Sequence, residues 1–250
     1  MRDTPQLELT NFITILADKI GPGRLSHYLY RLEPVIFSLI MVLVISIVAY
    51  AVARKPALVP GRLQSIAELL AGGLDGFVCG ILGPRGRRFT PFIGTLFIYI
   101  LFMNLSGIIP FMKSSTSSWS TTLALALCVF FYLQYTAIKE LGFSGYIYHL
   151  LGKPKGIIAA SVVIPLLMLF IEIVTQFVRP VSLSLRLRSN IWGDDMLLAV
   201  LAGFGIKGLP LLLFNMFLAI LASLVQAAVF CLLTTIYFAL ALEHEEVQAP

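Results

Sequence analysis

The feature that most constrains this chain is a set of long apolar segments that carry almost no charge. Residues Pro34–Ala53 contain no charged side chain and are followed by Arg54 and Lys55. A helix needs about 20 such residues to cross the hydrocarbon core of a bilayer. The 250-residue chain is 58% hydrophobic and 12% charged, whereas soluble domains carry about 25% charged residues. The composition therefore excludes an ordinary soluble domain and predicts an all-α polytopic membrane protein.

Hydropathy predicts about five membrane-spanning helices within a single membrane domain over residues 1–250. The expected spans are 34–53, 92–109, 121–138, a segment from 156 that continues past 195, and 211–242. Residues Arg62–Leu82 differ because Glu68 and Asp75 share one helical face, which is typical of an amphipathic interfacial or re-entrant helix. The domain divides into an N-terminal segment 1–33, the first three spans with connector 34–155, a helix hairpin 156–242 and an acidic tail 243–250.

The positive charges are unevenly divided between the two sets of loops. The internal loops on one side of the predicted membrane domain hold only Lys113 and Lys207. The richer set holds Arg54, Lys55, Arg62, Arg85, Arg87, Arg88, Lys139, Lys153 and Lys155. Because cytoplasmic loops are enriched in Lys and Arg, we expect the N-terminus outside and the C-terminus in the cytoplasm.

Charged residues enter the fourth predicted span at helical spacing. Glu172, Arg179 and Arg186 recur every seven residues, and Asn190 lies four beyond Arg186, so these four side chains share roughly one helical face. An ionisable residue at membrane depth costs about 3 kcal/mol on insertion scales and is tolerated beside an aqueous cavity or a bundle interior. Glu172 and Arg179 could equally form a static ion pair. Arg186 has no acid one turn away, which suggests a partner on another chain.

A second polar stripe runs along the other side of the same predicted helix. Arg188 and Asp195 are seven residues apart, and their mutual neutralisation as a structural pair is favoured. One helix with two polar stripes is suited to lining two separate aqueous paths. In the last span, Asn215 and Gln226 are eleven residues apart, and Gln226 is expected to face the preceding helix.

The sequence contains no recognisable motif for metal binding, for nucleophilic catalysis or for phosphate binding. Neither the cysteines nor the histidines have metal-ligand spacing, and no nucleophile–base or Gly-rich phosphate motif is recognisable. No cofactor or metal site is therefore predicted. The cysteines of the chain are Cys79, Cys128 and Cys231, and its histidines are His27, His149 and His244.

Residues 180–190 read Pro-Val-Ser-Leu-Ser-Leu-Arg-Leu-Arg-Ser-Asn, which resembles the Pro-x-Ser-Leu-x-Leu-Arg-Leu-Phe-Gly-Asn signature of subunit a of F-type ATP synthases. Residues 102–110 read Phe-Met-Asn-Leu-Ser-Gly-Ile-Ile-Pro, similar to the Asn-Leu-x-Gly-Leu-Ile-Pro run of that family. Residues 121–126 add a third, weaker match. The resemblance covers the chain from about Pro34 to its end.

The resemblance implies that Arg186 is the essential stator arginine. It also implies that Glu172, Asn190, Asp195 and Gln226 belong to the ion path.

The sequence departs from the family pattern at two places. Arg188 and Ser189 replace Phe-Gly, and Ala219 stands where some members have a channel histidine. These changes leave the identity of the proton-relay residues open.

The implied function is that of a stator subunit without catalysis of its own. It would offer two half-channels to a ring of c subunits, would assemble with b-type stator subunits and would need no cofactor. The proton is the favoured ion and Na⁺ the other candidate. We expect a bacterial inner membrane, since no transit peptide is recognised. The alternative is a self-contained secondary transporter with a midplane Arg/Glu site, although the inverted repeats of such folds are not found.

Overall fold

The computed structural model describes residues 24–54, 61–109, 112, 114–150 and 160–242. In these parts the chain forms α-helices and short 3₁₀ turns, and no strand. The helices are α1 (Arg24–Ala53), α2 (Arg62–Leu82), α3 (Thr90–Ser106), α4 (Trp119–Leu150), α5 (Ala160–Gly203) and α6 (Leu209–Leu242). The 3₁₀ turns are Pro84–Arg88, Ser115–Ser117 and Gly205–Gly208. The all-helical polytopic class is confirmed.

Five helices of the described chain are long and apolar enough to cross a membrane, as expected, but their membership differs from the prediction. They are Leu32–Ala53, Arg62–Leu82, Trp119–Glu140, Leu166–Gly203 and Leu209–Ala241. Helix α2 qualifies by length with mean hydropathy 1.5, so its interfacial placement stays a prediction. Helix α3, expected to span, has 17 residues and is about 25 Å long, slightly less than the roughly 30 Å of hydrocarbon.

The last two helices form the long hairpin that the sequence predicted. Helix α5 has 44 residues and continues well past Asp195, while α6 has 34 residues. At 1.5 Å per residue they are about 66 Å and 51 Å long. Because the hydrocarbon core is only about 30 Å thick, helices of this length must tilt steeply if their apolar parts are to stay within it.

The described core lies where α3, α4 and α6 meet. Phe89 stacks on Phe238 with ring centroids 4.7 Å apart, and Phe92 lies 4.3 Å from Tyr132. Ile93 and other α3 side chains complete this contact. Aromatic pairs at these distances stabilise packing beyond their buried area. The outer faces of α5 and α6 remain covered with exposed apolar side chains, as expected for surfaces that meet lipid or partner subunits.

Gly142 interrupts α4 and turns the chain back on itself. Its φ of 69° and ψ of 161° are non-helical and lie in a region of backbone space that is essentially restricted to glycine. Residues twelve apart in an unbroken helix would be about 18 Å apart along its axis. Here the Tyr146 hydroxyl instead donates a hydrogen bond to Gln134 Oε1 at 2.5 Å. The glycine therefore creates a contact that a continuous helix could not make.

A buried hydroxyl-rich connector, residues Ser114–Ser118, joins α3 to α4. Within it the Thr116 hydroxyl donates to Asn104 Oδ1 at 2.8 Å, and the Ser115 hydroxyl donates to the Pro34 carbonyl at 2.5 Å. The side chains of Ser114, Ser115 and Thr116 are almost completely buried. The connector thus lies inside the bundle, where its hydroxyls tie α1 to α3.

Candidate ion path

Arg186 lies on the outer surface of the α5–α6 hairpin. Its side chain is exposed, as are the apolar side chains of Leu185 and Val181 beside it. We find no hydrogen bond or ion pair between Arg186 and any residue that the structure describes. An arginine at the middle of an apolar helix is costly when it faces hydrocarbon. Its position therefore favours a polar or acidic surface opposite it, which the described part of the chain does not supply.

Asn190 and Gln226 meet one helical turn beyond Arg186. Asn190 Nδ2 donates to Gln226 Oε1 at 2.7 Å, which links α5 to α6. Gln226 is buried, with 4% of its surface exposed, while Asn190 is exposed. The expectation that Gln226 faces the polar stripe of the preceding helix is met by this contact.

A cleft of about 300 Å³, including space open to the exterior, lies between α4, α5 and α6 on one side of Arg186, and its lining is mostly apolar with a few polar side chains. We call it the Gln134 cleft. Its polar lining comes from Gln134 on α4, Gln176 and Arg179 on α5, and Tyr237 on α6. Only about 10 Å³ of this space admits a water-sized sphere, so its enclosed part has room for about one water molecule.

A chain of hydrogen bonds leads from this cleft to Glu172. Gln134 Nε2 donates to Gln176 Oε1 at 2.7 Å, and Gln176 Nε2 donates to Glu172 Oε1 at 3.4 Å. The Tyr146 hydroxyl also reaches Gln176 Oε1 at 3.1 Å. Arg179 Nη2 lies 3.9 Å from Glu172 Oε1. Glu172 and Arg179 therefore do form a long ion pair, one of the two alternatives, within a wider polar network.

Tyr146 lies beyond the apolar part of α4, and burial raises the pKa of its phenol. The hydrogen bond to Gln176 lowers this pKa, while the negative charge of Glu172 raises it further. The net shift is upward, so the phenol keeps its proton and remains a donor throughout the physiological pH range.

A second cleft of about 310 Å³, open like the first, lies between α3, α5 and α6 on the other side of Arg186. We call it the Asn104 cleft. Asp194 and Asp195 line it from α5, Asn104 from α3, and Ala219 and Ser223 from α6. Ala219, where some relatives of the resembled family have histidine, therefore lies in the same cleft as Asp195. A carboxylate with an aqueous cleft beside it can exchange an ion with water.

The two clefts are separated along α5, with Arg186 near the midpoint. Gln176 and Asp195 are nineteen residues apart, which corresponds to about 28 Å of helix rise. Arg186 lies ten residues from the first and nine from the second. The predicted site residues are consequently not one cluster. Glu172 is linked to one cleft through Gln176, and Asp195 lines the other. Asn190 and Gln226 lie between the clefts, one helical turn beyond the arginine.

Arg188 points away from Arg186, towards the connector. Its Nε donates to the Ser117 carbonyl at 3.3 Å, and its Cζ lies 5.1 Å from the centroid of the Trp119 ring. Both partners are uncharged. Asp195 has an interaction of its own, and the pairing of Arg188 with Asp195 stays a prediction.

Several buried amide donors near this path have no partner among the described residues. They are Asn104 Nδ2, Asn215 Nδ2 and Gln226 Nε2. An unsatisfied buried donor costs about 1–3 kcal/mol, and internal waters commonly satisfy such groups. Each of these three amides therefore has a donor that an internal water can satisfy.

Sequence reasoning missed Asn104, Gln134, Tyr146 and Gln176 as members of the polar network. A signal for Gln176 was present, because it lies four residues after Glu172 within an apolar segment. Tyr146 gave none, since only the turn at Gly142 brings it to Gln134. The acidic tail and the loop that contains Lys153 and Lys155 lie outside the described residues.

This chain is similar to known proteins over most of its length. The family model described as the ATP synthase A chain matches residues 35–239. ATP synthase subunit a of Protochlamydia amoebophila is 39% identical, over 95% of this chain and 90% of that protein. The same subunit of Oleidesulfovibrio alaskensis is 35% identical, over 92% and 95%, and that of a Sulfurihydrogenibium species is 34% identical, over 86% and 99%.

Proposed function

Because this chain belongs to the ATP synthase subunit a family and is an integral membrane subunit of an F-type ATP synthase, we propose that it forms the ion path of that enzyme. The observation that carries the proposal is the exposed Arg186 on the outer face of the hairpin, which lies along α5 between two clefts that each contain polar side chains. A static structural arginine would be expected to have an acid of its own chain beside it.

The two clefts serve as half-channels that never meet directly. An ion enters through one cleft, binds a carboxylate of a c subunit and travels around the ring, and it leaves through the other. The Gln134 cleft, near the ion pair of Arg88 with Glu140, opens to the cytoplasm. The Asn104 cleft opens to the opposite side, where Asp195 and Ser223 receive the ion.

Arg186 acts on the ring carboxylate between the two half-channels. A guanidinium within about 4–6 Å lowers the pKa of a carboxyl group by about 1–3 units. It therefore favours release of the ion from the ring and opposes passage of a protonated carboxyl across the gap. Rotation is driven by the membrane potential, which supplies about 2.3 kcal/mol per charge per 100 mV.

The partners follow from this role, and the proton remains the favoured ion. The c-ring lies against the α5–α6 face, and b-type stator helices hold the chain against rotation. The chain performs no catalysis itself and needs no cofactor. The transported ion is a proton, the N-terminus lies outside, and the C-terminus lies in the cytoplasm of a bacterium. The excess of Lys and Arg on the side of Arg54 and Arg88 supports this orientation.

The proposal is tested by Arg186→Ala and Arg186→Lys in the complete ATP synthase. Arg186→Ala should abolish ATP-driven proton pumping into vesicles while the complex still assembles, because no other group replaces its charge at the ring. Arg186→Lys should fail or nearly fail, since lysine lacks the planar fork of donors. Lys207→Ala, in the turn between α5 and α6, is the matched loss of positive charge and should pump normally. Coupled pumping in the Arg186→Ala complex would contradict the proposal, as would ion transport by the isolated chain without a ring.

A further inference from the structure

We propose that Arg188 is a positioning residue that fastens the connector Ser114–Ser118 to α5 and thereby holds one wall of the Asn104 cleft. The effect of this contact on ion conduction rests on the proposed function. The contact of Arg188 with the connector and α4 is seen in the structure itself. It gives a role to the charge that replaces the phenylalanine of the family signature.

Two successive turns of α5 hold the start of α4. The Arg188 Nε–H bonds the Ser117 carbonyl at 3.3 Å, and the guanidinium lies over the Trp119 ring, with Cζ 5.1 Å from its centroid. One turn earlier, the Ser184 hydroxyl donates to Thr122 Oγ1 at 3.3 Å. Arg188 and Ser184 therefore both hold α5 against the connector and the start of α4, and Arg188 is the charged residue of the two.

The connector in turn packs against residues at the end of α3 that line the cleft, Asn104 and Gly107. Thr116 holds the side chain of Asn104 through a 2.8 Å hydrogen bond. A Cβ atom added at Gly107 would lie 3.1 Å from Ser114 Cβ and 3.6 Å from Asp195 Oδ1. The connector, α3 and the Asp195 carboxylate are thus packed without spare space at this point. A connector released from α5 would move the wall of the cleft through which Asp195 is reached.

Arginine suits both contacts at once. Its planar guanidinium can lie over an indole face while an N–H in its plane donates to a carbonyl. A phenylalanine at this position could pack on Trp119 but could not donate to Ser117. Lysine would keep the charge over the ring without the planar fork. Arg188 thus differs from Arg186, whose exposed side chain has no such contacts in the described chain.

The test uses a single reporter cysteine in the assembled ATP synthase. The native cysteines Cys79, Cys128 and Cys231 are first replaced, and Ser223→Cys then reports on the Asn104 cleft. A small aqueous methanethiosulfonate reagent measures how fast this thiol reacts. Val129→Cys, in the Gln134 cleft, is the matched control because it is similarly buried but lies on the other side of Arg186.

Arg188→Gln and Trp119→Leu should each raise the reaction rate of the Ser223→Cys reporter by roughly 5–30-fold, since each removes the same cation–π contact. The double variant should react no faster than the faster single variant, because the two side chains act through one contact. Arg188→Lys and Trp119→Phe should give smaller increases. The control thiol should be unaffected.

Three results would overturn the proposal. The first is an unchanged reporter rate in both Trp119→Leu and Trp119→Phe while Arg188→Gln raises it, which would assign Arg188 to Asp195 instead. The second is an equal increase at the control thiol, which would indicate general loosening. The third is strict additivity in the double variant. The reaction rate of the reporter thiol does not depend on coupled proton pumping. Proton pumping by Arg186→Ala, measured in the same cysteine-free background, therefore shows separately whether the proposed function fails. If Arg188→Gln fails to assemble, the Arg188→Lys and Trp119→Phe rates decide the matter.

Discussion

The hydrogen bond between Asn190 and Gln226 predicts an unequal response to removal of its two partners. Asn190 is exposed and can bond water or a partner subunit when Gln226 is lost. Gln226 is buried, and its Nε2 already has no partner among the described residues. Asn190→Ala would therefore leave both polar atoms of the buried amide unsatisfied, whereas Gln226→Leu would remove the buried amide altogether.

The expected magnitudes follow from this asymmetry. A buried polar group that loses its partner costs about 1–3 kcal/mol, while an ordinary hydrogen bond contributes a net 0.5–1.5 kcal/mol or so. Asn190→Ala should thus destabilise the α5–α6 contact by about 1–3 kcal/mol. Gln226→Leu should cost less than about 1 kcal/mol, because it also removes an unsatisfied donor and adds apolar contact. The double variant should be more stable than Asn190→Ala alone.

The assay is the temperature at which this subunit dissociates from the purified, detergent-solubilised ATP synthase, with passive proton conductance measured on the same preparations. Gln226→Leu should dissociate near the wild-type temperature yet conduct poorly, since the polar group beside Arg186 is gone. Asn190→Ala should dissociate at a lower temperature. The reasoning would be refuted if Gln226→Leu were the less stable variant, or if the two changes were additive.

Two further changes test the geometry of the clefts. Gly142→Ala should destabilise the subunit by about 1–3 kcal/mol, because the backbone conformation there is essentially restricted to glycine, and it should break the hydrogen bond of Tyr146 to Gln134. The dissociation temperature of the subunit measures this loss. Gly73→Ala is the control and should be tolerated, because a Cβ added at Gly73 lies in open space. Ala219→Leu should fill the Asn104 cleft beside Asp195 and reduce passive proton conductance severely while the complex assembles, and full conductance in that variant would contradict the assignment of this cleft as a half-channel.

The helices and the faces of α5 could be predicted from the sequence because both depend on local periodicity. Long apolar runs fix the spans, and the seven-residue spacing from Glu172 to Arg186 fixes which side chains share a face. The same spacing could not say what lies opposite each face. The neighbours of Arg188 proved to be Ser117 and Trp119, which are about seventy residues away in sequence. Tertiary packing, rather than helical period, determines such partners.

The burial of the connector shows a second limit. A run of serine and threonine between two apolar spans is typical of an exposed loop. Here Ser114, Ser115 and Thr116 are buried because their hydroxyls bond backbone and side-chain acceptors of α1 and α3. Composition indicates that a segment is polar, but hydrogen-bond partners elsewhere in the fold decide whether that segment can be buried.

The contact between Glu172 and Arg179 bears on why charge is retained at this depth. The atoms are 3.9 Å apart, and about a third of the Glu172 side chain and a fifth of the Arg179 side chain are exposed. Long, partly exposed ion pairs contribute about 0–1 kcal/mol, whereas each charge at membrane depth costs about 3 kcal/mol on insertion scales. The pair therefore cannot offset its own cost. The hydrogen bond of Gln176 to Glu172 and the position of the Arg179 guanidinium over the Tyr237 ring add to the stabilisation of the pair. A carboxylate that is partly exposed and held only by long contacts can exchange those contacts for water, which is the property that the proposed ion path needs in Glu172.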